Sequence, residues 1–240
     1  MRKDGRKPDE MRLVKIERNF TKFAPGSVFI QVGDTKVICT ASIDENVPSH
    51  MKNSGQGWVT AEYSLLPGST PRRVVREAAR GKVNGRTQEI QRLIGRSMRA
   101  IVNLSALGER TIWIDCDVIQ ADGGTRVAAI TGGYVALVDA INWLKNKGEI
   151  TGEPLLGSVA AVSVGVVDGV SMLDLCYEED FAAKVDMNIV LTGDGEYVEL
   201  QGTGEQQTFS EKELAEMISQ AKKGINQLTR MQKQALEGQL

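Results

Sequence analysis

The sequence predicts a mixed α/β protein, and three features lead to this fold class. Paired strands followed by a long amphipathic helix occur early in the 240 residues and again late, which indicates duplicated βα units. The apolar fraction of 41% is ordinary for a globular protein and is enough for a sizeable core. No Pro/Ser-rich linker divides the chain, so we expect a single domain over residues 1–240.

The first predicted unit is a hairpin followed by a helix. Segments 28–32 and 35–43 alternate in polarity and flank Gly33-Asp34, a pair that suits a tight two-residue turn. Residues 87–104 then place apolar side chains at helical spacing. The apolar stripe consists of Ile90, Leu93, Ile94, Met98, Ile101 and Val102.

A strand predicted over residues 111–119 runs directly into a glycine turn. Asp115 and Asp117 lie two residues apart and therefore point to the same face. An apolar run with helical spacing follows, so residues 123–126 should form the first turn of a helix. Free backbone N–H groups favour an anion there, and Arg126 adds a bidentate donor. The turn predicts a phosphate site; the alternative is a tight connection with a surface arginine.

The second half of the chain repeats the order of strands and helix. The remaining strands are predicted as two hairpins, 159–167 with 170–177 and 187–192 with 197–201. The final helix should cover residues 210–236, because Ser210 and Glu213 form a capping-box pair in front of an apolar stripe. This helix is expected to close the domain.

Composition excludes several kinds of function. No apolar run approaches the roughly 20 residues that span a bilayer, and no signal-peptide core follows the charged N-terminus, so we expect a cytoplasmic protein. Cys39, Cys116 and Cys176 lie in strand-like runs without CxxC spacing, which favours buried reduced thiols over disulfides or a zinc site. His50 is the one histidine, so a histidine metal site or a serine–histidine triad is not expected.

Two carboxylates in the second half form a candidate magnesium site. Asp174 lies between Leu173 and Leu175 in a strand predicted to be buried, where a carboxylate needs a partner or a metal ion. Asp180 follows about two helical turns later, and Mg²⁺ prefers oxygen ligands of this kind. The alternative is a solvated acidic loop.

A basic segment suggests a polyanionic substrate. The net charge is only −2, yet residues 72–99 carry nine arginines and lysines against Glu77 and Glu89. Guanidinium groups in a glycine-containing loop without apolar periodicity suit phosphates; the alternative is a solvent-exposed loop paired with neighbouring carboxylates. Inorganic phosphate is an anionic nucleophile that needs no general base. The predicted phosphate turn, the two carboxylates and the basic loop together predict that the protein catalyses phosphorolysis of a nucleic acid.

Several longer motifs resemble bacterial ribonuclease PH. They are residues 57–63, 85–96, 115–126, 186–188 and 199–203, and the similarity covers essentially the whole chain. The resemblance implies the ribosomal protein S5 domain 2-like α/β fold, with duplicated βα units, a C-terminal helix and assembly as a homohexameric ring of three dimers. It implies a phosphate-dependent 3′-to-5′ exoribonuclease, or tRNA nucleotidyltransferase, that trims tRNA precursors and releases nucleoside 5′-diphosphates. Nucleotide addition is the reverse reaction.

The resemblance also implies roles for individual residues. Four are implied to hold the attacking inorganic phosphate: Arg86, Gly124, Thr125 and Arg126. Two match the acidic pair implied to bind Mg²⁺ and stabilise the leaving 3′ oxygen: Asp174 and Asp180. Three lie in the arginine loop implied to grip RNA: Arg72, Arg73 and Arg76. Gly68 stands where the family usually carries an arginine, which implies a weaker RNA contact.

Two other functions compete with this interpretation. A catalytically silent RNA-binding ring subunit would keep the basic loop but lose the acidic pair or the phosphate-binding arginines, which this chain retains. A hydrolytic nuclease would need a denser carboxylate cluster or a histidine base. Asp115 and Asp117 keep a two-metal version of that enzyme open, although pairing with arginines would also explain them.

Overall fold

A computed structural model describes residues 2–204 and 207–238 and arranges them around two β-sheets. The first sheet contains β1 (Val14–Arg18), β2 (Gly26–Val32), β3 (Thr35–Asp44), β4 (Trp58–Leu65) and β5 (Thr111–Gln120). Their order is β1-β2-β3-β5-β4. β4 runs parallel to β5, and the other neighbouring strands are antiparallel.

The second sheet is antiparallel throughout. It contains β6 (Val159–Val167), β7 (Val170–Leu173), β8 (Val185–Thr192) and β9 (Tyr197–Thr203), in the order β7-β6-β8-β9. The helices are α1 (Gly85–Arg99), α2 (Leu104–Leu107), α3 (Thr125–Asn146), α4 (Tyr177–Ala182) and α5 (Glu211–Leu236). Short 3₁₀ turns cover Ser49–Met51 and Glu77–Arg80.

Helix α3 forms the centre of the molecule because it is apolar on all sides. It packs against β2, β3 and β5 of the first sheet and against β6 of the second. Its length and hydropathy would suit a membrane span, but 89% of its apolar window is buried inside the protein, as in a core helix. The two sheets are thereby held on one shared helix.

Helices α1 and α5 complete the core. α1 packs on β4 and α3, and α5 packs on β6, β7, β8 and β1. Buried apolar side chains of both sheets and of these helices form one continuous cluster. The predicted mixed α/β class with a C-terminal helix is confirmed. The capping box that opens α5 is also confirmed, because Ser210 accepts from the Glu213 N–H and Glu213 accepts from the Ser210 N–H.

Two predicted elements end earlier than their apolar pattern suggested. The helix predicted to residue 104 ends at Arg99, and Asn103 then caps the separate helix α2. Strand β7 ends at Leu173, because Asp174 has a left-handed backbone (φ 53°) and the chain turns into α4. Hydrophobic periodicity does not report backbone dihedral angles, so it could not predict where these two elements end.

The cysteines are free thiols, as expected, although one of them lies outside the strands. Cys39 and Cys116 are buried neighbours on β3 and β5, with sulfur atoms 3.8 Å apart. Cys39 and burial both raise the pKa of the Cys116 thiol well above its ordinary value. Cys176 is half-buried at the N-cap of α4.

Candidate active site

A cavity of about 320 Å³ lies where five elements of the two halves meet. It is lined by the first turns of α1 and α3, by β6, by α4 and by the start of β8. Its lining is dominated by polar and charged residues: Arg86, Gly124, Thr125, Arg126, Ser163, Tyr177, Asp180, Phe181, Asp186 and Asn188. Two arginines and two carboxylates therefore border one small space.

The glycine turn in front of α3 is fixed by its backbone conformation. Gly123 and Gly124 both have left-handed dihedrals, with φ of 73° and 67°. A Cβ atom on Gly123 would lie 2.5 Å from the carbonyl oxygen of Leu175, so only glycine allows the turn to meet the segment before α4. The Thr35 hydroxyl donates to the Gly123 carbonyl at 2.7 Å and holds the turn from β3.

The start of α3 is suited to an anion, as the sequence predicted. Gly124 is the N-cap residue and supplies no side-chain cap. Backbone N–H groups in the first turn of a helix have no intrahelical partner, and the positive end of the dipole favours negative charge. Because the Thr125 hydroxyl and the Arg126 side chain line the same cavity, the turn offers both backbone and side-chain donors.

Tyr63, which the sequence motifs did not single out as functional, supports this turn from β4. Its hydroxyl lies 2.7 Å from the Thr125 hydroxyl. Burial raises the pKa of the Tyr63 phenol above its ordinary value. The charges of Arg86 and Arg126 oppose that shift, so both guanidinium groups act on the same hydroxyl. The alternation of β4 places Tyr63 on the buried face, which was the available sequence signal.

Arg126 is oriented by residues from both halves of the protein. Its Nη1 donates to Gln201 Oε1 at 2.8 Å and to Glu89 Oε2 at 3.3 Å. Gln201 Nε2 in turn donates to Glu89 Oε1 at 3.2 Å. Nη1 is the donor in both of these hydrogen bonds of Arg126. The network joins α1 and β9 and fixes the direction of the guanidinium group.

Arg86 reaches the cavity from the first turn of α1. Asn84 caps this helix, and its side chain accepts from the Thr87 N–H at 2.8 Å. Glu77 accepts from the Thr87 hydroxyl at 2.7 Å and fastens the arginine-rich loop to the helix start. The four residues predicted to bind phosphate are thus brought together: Arg86, Gly124, Thr125 and Arg126.

Asp180 and Asp186 are the two carboxylates that border the cavity. Asp180 lies on α4, and Asp186 is the second residue of β8. Two carboxylates beside an open polar space fit Mg²⁺, which keeps several water ligands. Within residues 2–204 and 207–238, no three His, Cys, Asp or Glu side chains gather into a metal cluster, so water or substrate oxygens would have to complete the coordination.

The predicted role of Asp174 as the metal-binding partner of Asp180 stays a prediction, because Asp174 lies outside the cavity lining. Asp174 is 3% exposed, and the cavity lining does not include it. Arg12 binds both of its oxygens, with Nη2 to Oδ1 at 2.7 Å and Nε to Oδ2 at 3.0 Å. Arg12 is therefore a charged partner that offsets the burial of this carboxylate. Asp186 borders the cavity together with Asp180.

Arg12 links this buried ion pair to the glycine turn. Its Nη1 donates to the Asp122 carbonyl, directly before Gly123. Burial lowers the pKa of the Arg12 guanidinium, but the hydrogen bonds and charge of Asp174 prevail, so the net shift is upward. Through Arg12, Asp174 is thus linked to the residue that precedes the glycine turn.

Three residues of the arginine loop that are implied to bind RNA do not line the cavity. Arg72, Arg73 and Arg76 are exposed in the connection between β4 and α1. Asp115 and Asp117 share the outer face of β5, as predicted. Burial raises the pKa of Asp117, and the charge of Arg76 opposes this shift. Because these two carboxylates are not among the cavity lining, the geometry does not favour a two-metal site there.

Two family models match parts of this chain. A model of the 3′ exoribonuclease family, domain 1, matches residues 10–141, and the model of domain 2 matches residues 157–224. The expectation of a single domain over residues 1–240 stays a prediction.

Two solved structures share the fold. Rice (Oryza sativa) Rrp46 is 21% identical, with a TM-score of 0.79 over 98% of this chain and 100% of that chain. A chain of the Archaeoglobus fulgidus exosome, solved with RNA bound to its active site, is 22% identical, with a TM-score of 0.77 over 96% of this chain and 92% of that one. At these identities the likeness concerns the fold.

Proposed function

The chain belongs to the 3′ exoribonuclease family, and from that premise we propose that it is a phosphate-dependent exoribonuclease of the bacterial ribonuclease PH type. Inorganic phosphate would attack the 3′-terminal phosphodiester of an RNA and release a nucleoside 5′-diphosphate. One observation carries the proposal: the glycine turn, Arg86 and Arg126 face two carboxylates across a single small cavity.

The attacking phosphate is placed at the start of α3. Backbone N–H groups of the first turn and the Thr125 hydroxyl donate to its oxygens. Arg126 and Arg86 neutralise its charge and aim it at the scissile phosphorus, because a guanidinium fork matches phosphate geometry. The Glu89–Gln201 network leaves Arg126 little freedom to rotate, so less conformational entropy is lost when phosphate binds.

The reaction exchanges one phosphorus–oxygen bond for another. An oxygen of inorganic phosphate bonds to the phosphorus of the terminal nucleotide, and the bond from that phosphorus to the preceding 3′ oxygen breaks. The attacking hydrogenphosphate gives up its proton, and the leaving oxygen takes up one proton and becomes the new 3′ hydroxyl. Asp180 and Asp186, which border the cavity, would hold Mg²⁺, and the positive charge of that ion would stabilise the leaving oxygen and the phosphoryl group.

The substrate and the assembly are part of the proposal. Arg72, Arg73 and Arg76 project from an exposed loop and would grip the RNA backbone upstream of the cavity. The motif resemblance favours tRNA precursors as substrates, a homohexameric ring and a cytoplasmic location. The likeness in fold to exosome proteins is compatible with a ring of such subunits.

A catalytically silent RNA-binding ring subunit is the second candidate. One observation favours it: Arg126 already donates to the Glu89 carboxylate and to Gln201 through Nη1. A bound phosphate would have to share the guanidinium group with that carboxylate. Such a subunit would bind RNA through its basic loop and release no nucleotide.

The test is to incubate the protein with Mg²⁺ and a 3′-tailed tRNA, with and without inorganic phosphate, and to identify the released nucleotides. Diphosphates that appear only with phosphate support the proposal. Monophosphates without phosphate would mean hydrolysis, and tight RNA binding without release would favour the silent subunit. Arg126→Ala should abolish release while most RNA binding survives, whereas Arg230→Ala, on the exposed face of α5, should change neither.

A further inference from the structure

Two exposed aromatic rings border the cavity in which we place the attacking phosphate. Tyr177 is 57% exposed and Phe181 is 82% exposed. They lie one helical turn apart on α4, with ring centroids 6.3 Å apart and planes inclined by 30°. Both border the cavity that contains Arg126 and Asp180. The two rings therefore form a continuous apolar surface next to the anion site.

Packing within the chain does not account for these rings. None of the residues of α4 is buried, so the helix contributes no side chain to the core. Scattered apolar residues on a surface are normal, but two neighbouring rings inside a charged cavity are not scattered. The surface is also held in place by a buried group: Arg2 Nε and Nη2 each donate to the Glu179 carboxylate at 2.7 Å.

The start of α4 is fastened to the phosphate turn itself. The Tyr177 N–H donates to Asp122 Oδ1 at 3.2 Å, and the Cys176 N–H donates to Glu179 at 3.0 Å. The start of the helix that carries the rings is thus hydrogen-bonded to the residue before the glycine turn. A ligand that bridges the turn and the rings must carry a phosphate at one end and a flat apolar group at the other.

We propose that the Tyr177–Phe181 pair is the stacking platform for the base of the 3′-terminal nucleotide. This inference rests on the proposed function, which supplies RNA as the ligand. A nucleotide joins its base to the phosphate under attack through one ribose, so the base must lie close to the anion site. Aromatic side chains bind bases through their faces, and this contact tolerates every base. Such tolerance suits an enzyme that removes successive nucleotides irrespective of sequence.

The size of the effect follows from the stacking of one base. Alanine substitution of a stacking ring weakens binding by roughly 5- to 150-fold, or about 1–3 kcal/mol at 1.4 kcal/mol per tenfold. Because Phe181 is largely exposed and shares the surface with Tyr177, we expect about a tenfold loss for Phe181→Ala. Phe181→Tyr keeps a ring of similar area and should restore binding.

The experiment uses a short single-stranded RNA that ends in 2-aminopurine, whose fluorescence falls when the base stacks. Binding is measured without inorganic phosphate, so no phosphorolysis occurs. The proteins compared are the unaltered chain, Phe181→Ala, Phe181→Tyr and Phe23→Ala. Phe23 is a matched control, because it is 91% exposed and does not border the cavity.

The expected result is quenching by the unaltered protein, by Phe181→Tyr and by Phe23→Ala, with loss of most quenching and about tenfold weaker binding in Phe181→Ala. Equal quenching by Phe181→Ala and the unaltered protein would overturn the proposal. A change in the molar mass of the Phe181→Ala assembly, measured by light scattering, would also overturn it, because the rings would then cover a second copy.

The same proteins separate this inference from the proposed function. Diphosphate release is measured afterwards, with phosphate and a normal 3′-terminal nucleotide. Quenching without diphosphate release would refute phosphorolysis and leave the platform as a site for RNA ends. Diphosphate release without quenching would refute the platform and leave phosphorolysis intact.

Discussion

Replacement of Asp174 by asparagine separates a structural role from a metal-binding role. The carboxylate is 3% exposed, and both oxygens accept from Arg12. Asparagine has nearly the same shape and tolerates the left-handed backbone (φ 53°) better than most residues do. The substitution therefore removes the charge and places an amide donor against the guanidinium group, while the backbone can stay as it is.

The expected loss of stability is large. Removing one partner of a buried ion pair leaves an uncompensated charge and costs about 3–5 kcal/mol. For a protein of 240 residues, each kcal/mol lowers the unfolding midpoint by roughly 2–4 °C, so the midpoint should fall by roughly 6–20 °C. An exposed pair offers the contrast: Glu17→Gln, which breaks the ion pair with Lys15, should cost at most about 1 kcal/mol.

Thermal unfolding followed by circular dichroism measures both variants against the unaltered protein. Asp180→Asn is the matched comparison for function, since Asp180 borders the cavity on an exposed stretch of α4. We expect Asp174→Asn to unfold early and Asp180→Asn to lose Mg²⁺-dependent turnover with little change in midpoint. If Asp174→Asn unfolds at the same temperature as the unaltered protein but loses Mg²⁺-dependent turnover, Asp174 is a metal ligand and the reasoning fails.

Three further predictions concern the glycine turn, its support and the last helix. Gly123→Ala should cost at least about 1–2 kcal/mol from the left-handed backbone alone, and a backbone carbonyl 2.5 Å from the new Cβ should displace the turn and lower turnover. Tyr63→Phe removes the partner of the Thr125 hydroxyl and should raise the KM for phosphate by about 2- to 10-fold with little change in kcat. The backbone N–H of the N-cap residue lowers the pKa of Glu213 from 4.5 to about 2, so Glu213 stabilises the fold above pH 4.5 and this contribution disappears as pH falls toward 2. Unfolding midpoints of the unaltered protein and Glu213→Gln should therefore converge over that range.

Each of these predictions has a control within the chain. Gly148→Ala also has a positive φ but no atom within 4 Å of the new Cβ, so it should lose stability without losing turnover. Equal turnover losses in both glycine variants would contradict the role of the turn. An unchanged phosphate KM in Tyr63→Phe would remove that tyrosine from the site. A pH-independent difference between Glu213→Gln and the unaltered protein would mean that the carboxylate does not act through its charge.

Elements with a strong local signal were predictable from sequence. Alternation predicted β5 to within one residue at its C-terminal end, and the capping pair at Ser210 predicted the start of α5. The anion turn at residues 123–126 was predictable because glycines, a hydroxyl and an arginine are adjacent in the chain. The earlier end of β7 was not predictable, because Asp174 leaves the strand with a left-handed backbone and pairs with Arg12, which is distant in the chain.

The sequence by itself determined the fold class, the glycine turn at the start of α3 and the presence of an acidic group near residue 180, because each depends on residues close together in the chain. Only the tertiary structure decided which carboxylates meet the arginines. Arg12 and Asp174 are 162 residues apart, and their contact removes Asp174 from the cavity and leaves Asp186 beside Asp180. Burial explains this outcome, because a carboxylate withdrawn from water must have a charged partner, and the fold, not the local sequence, supplies it.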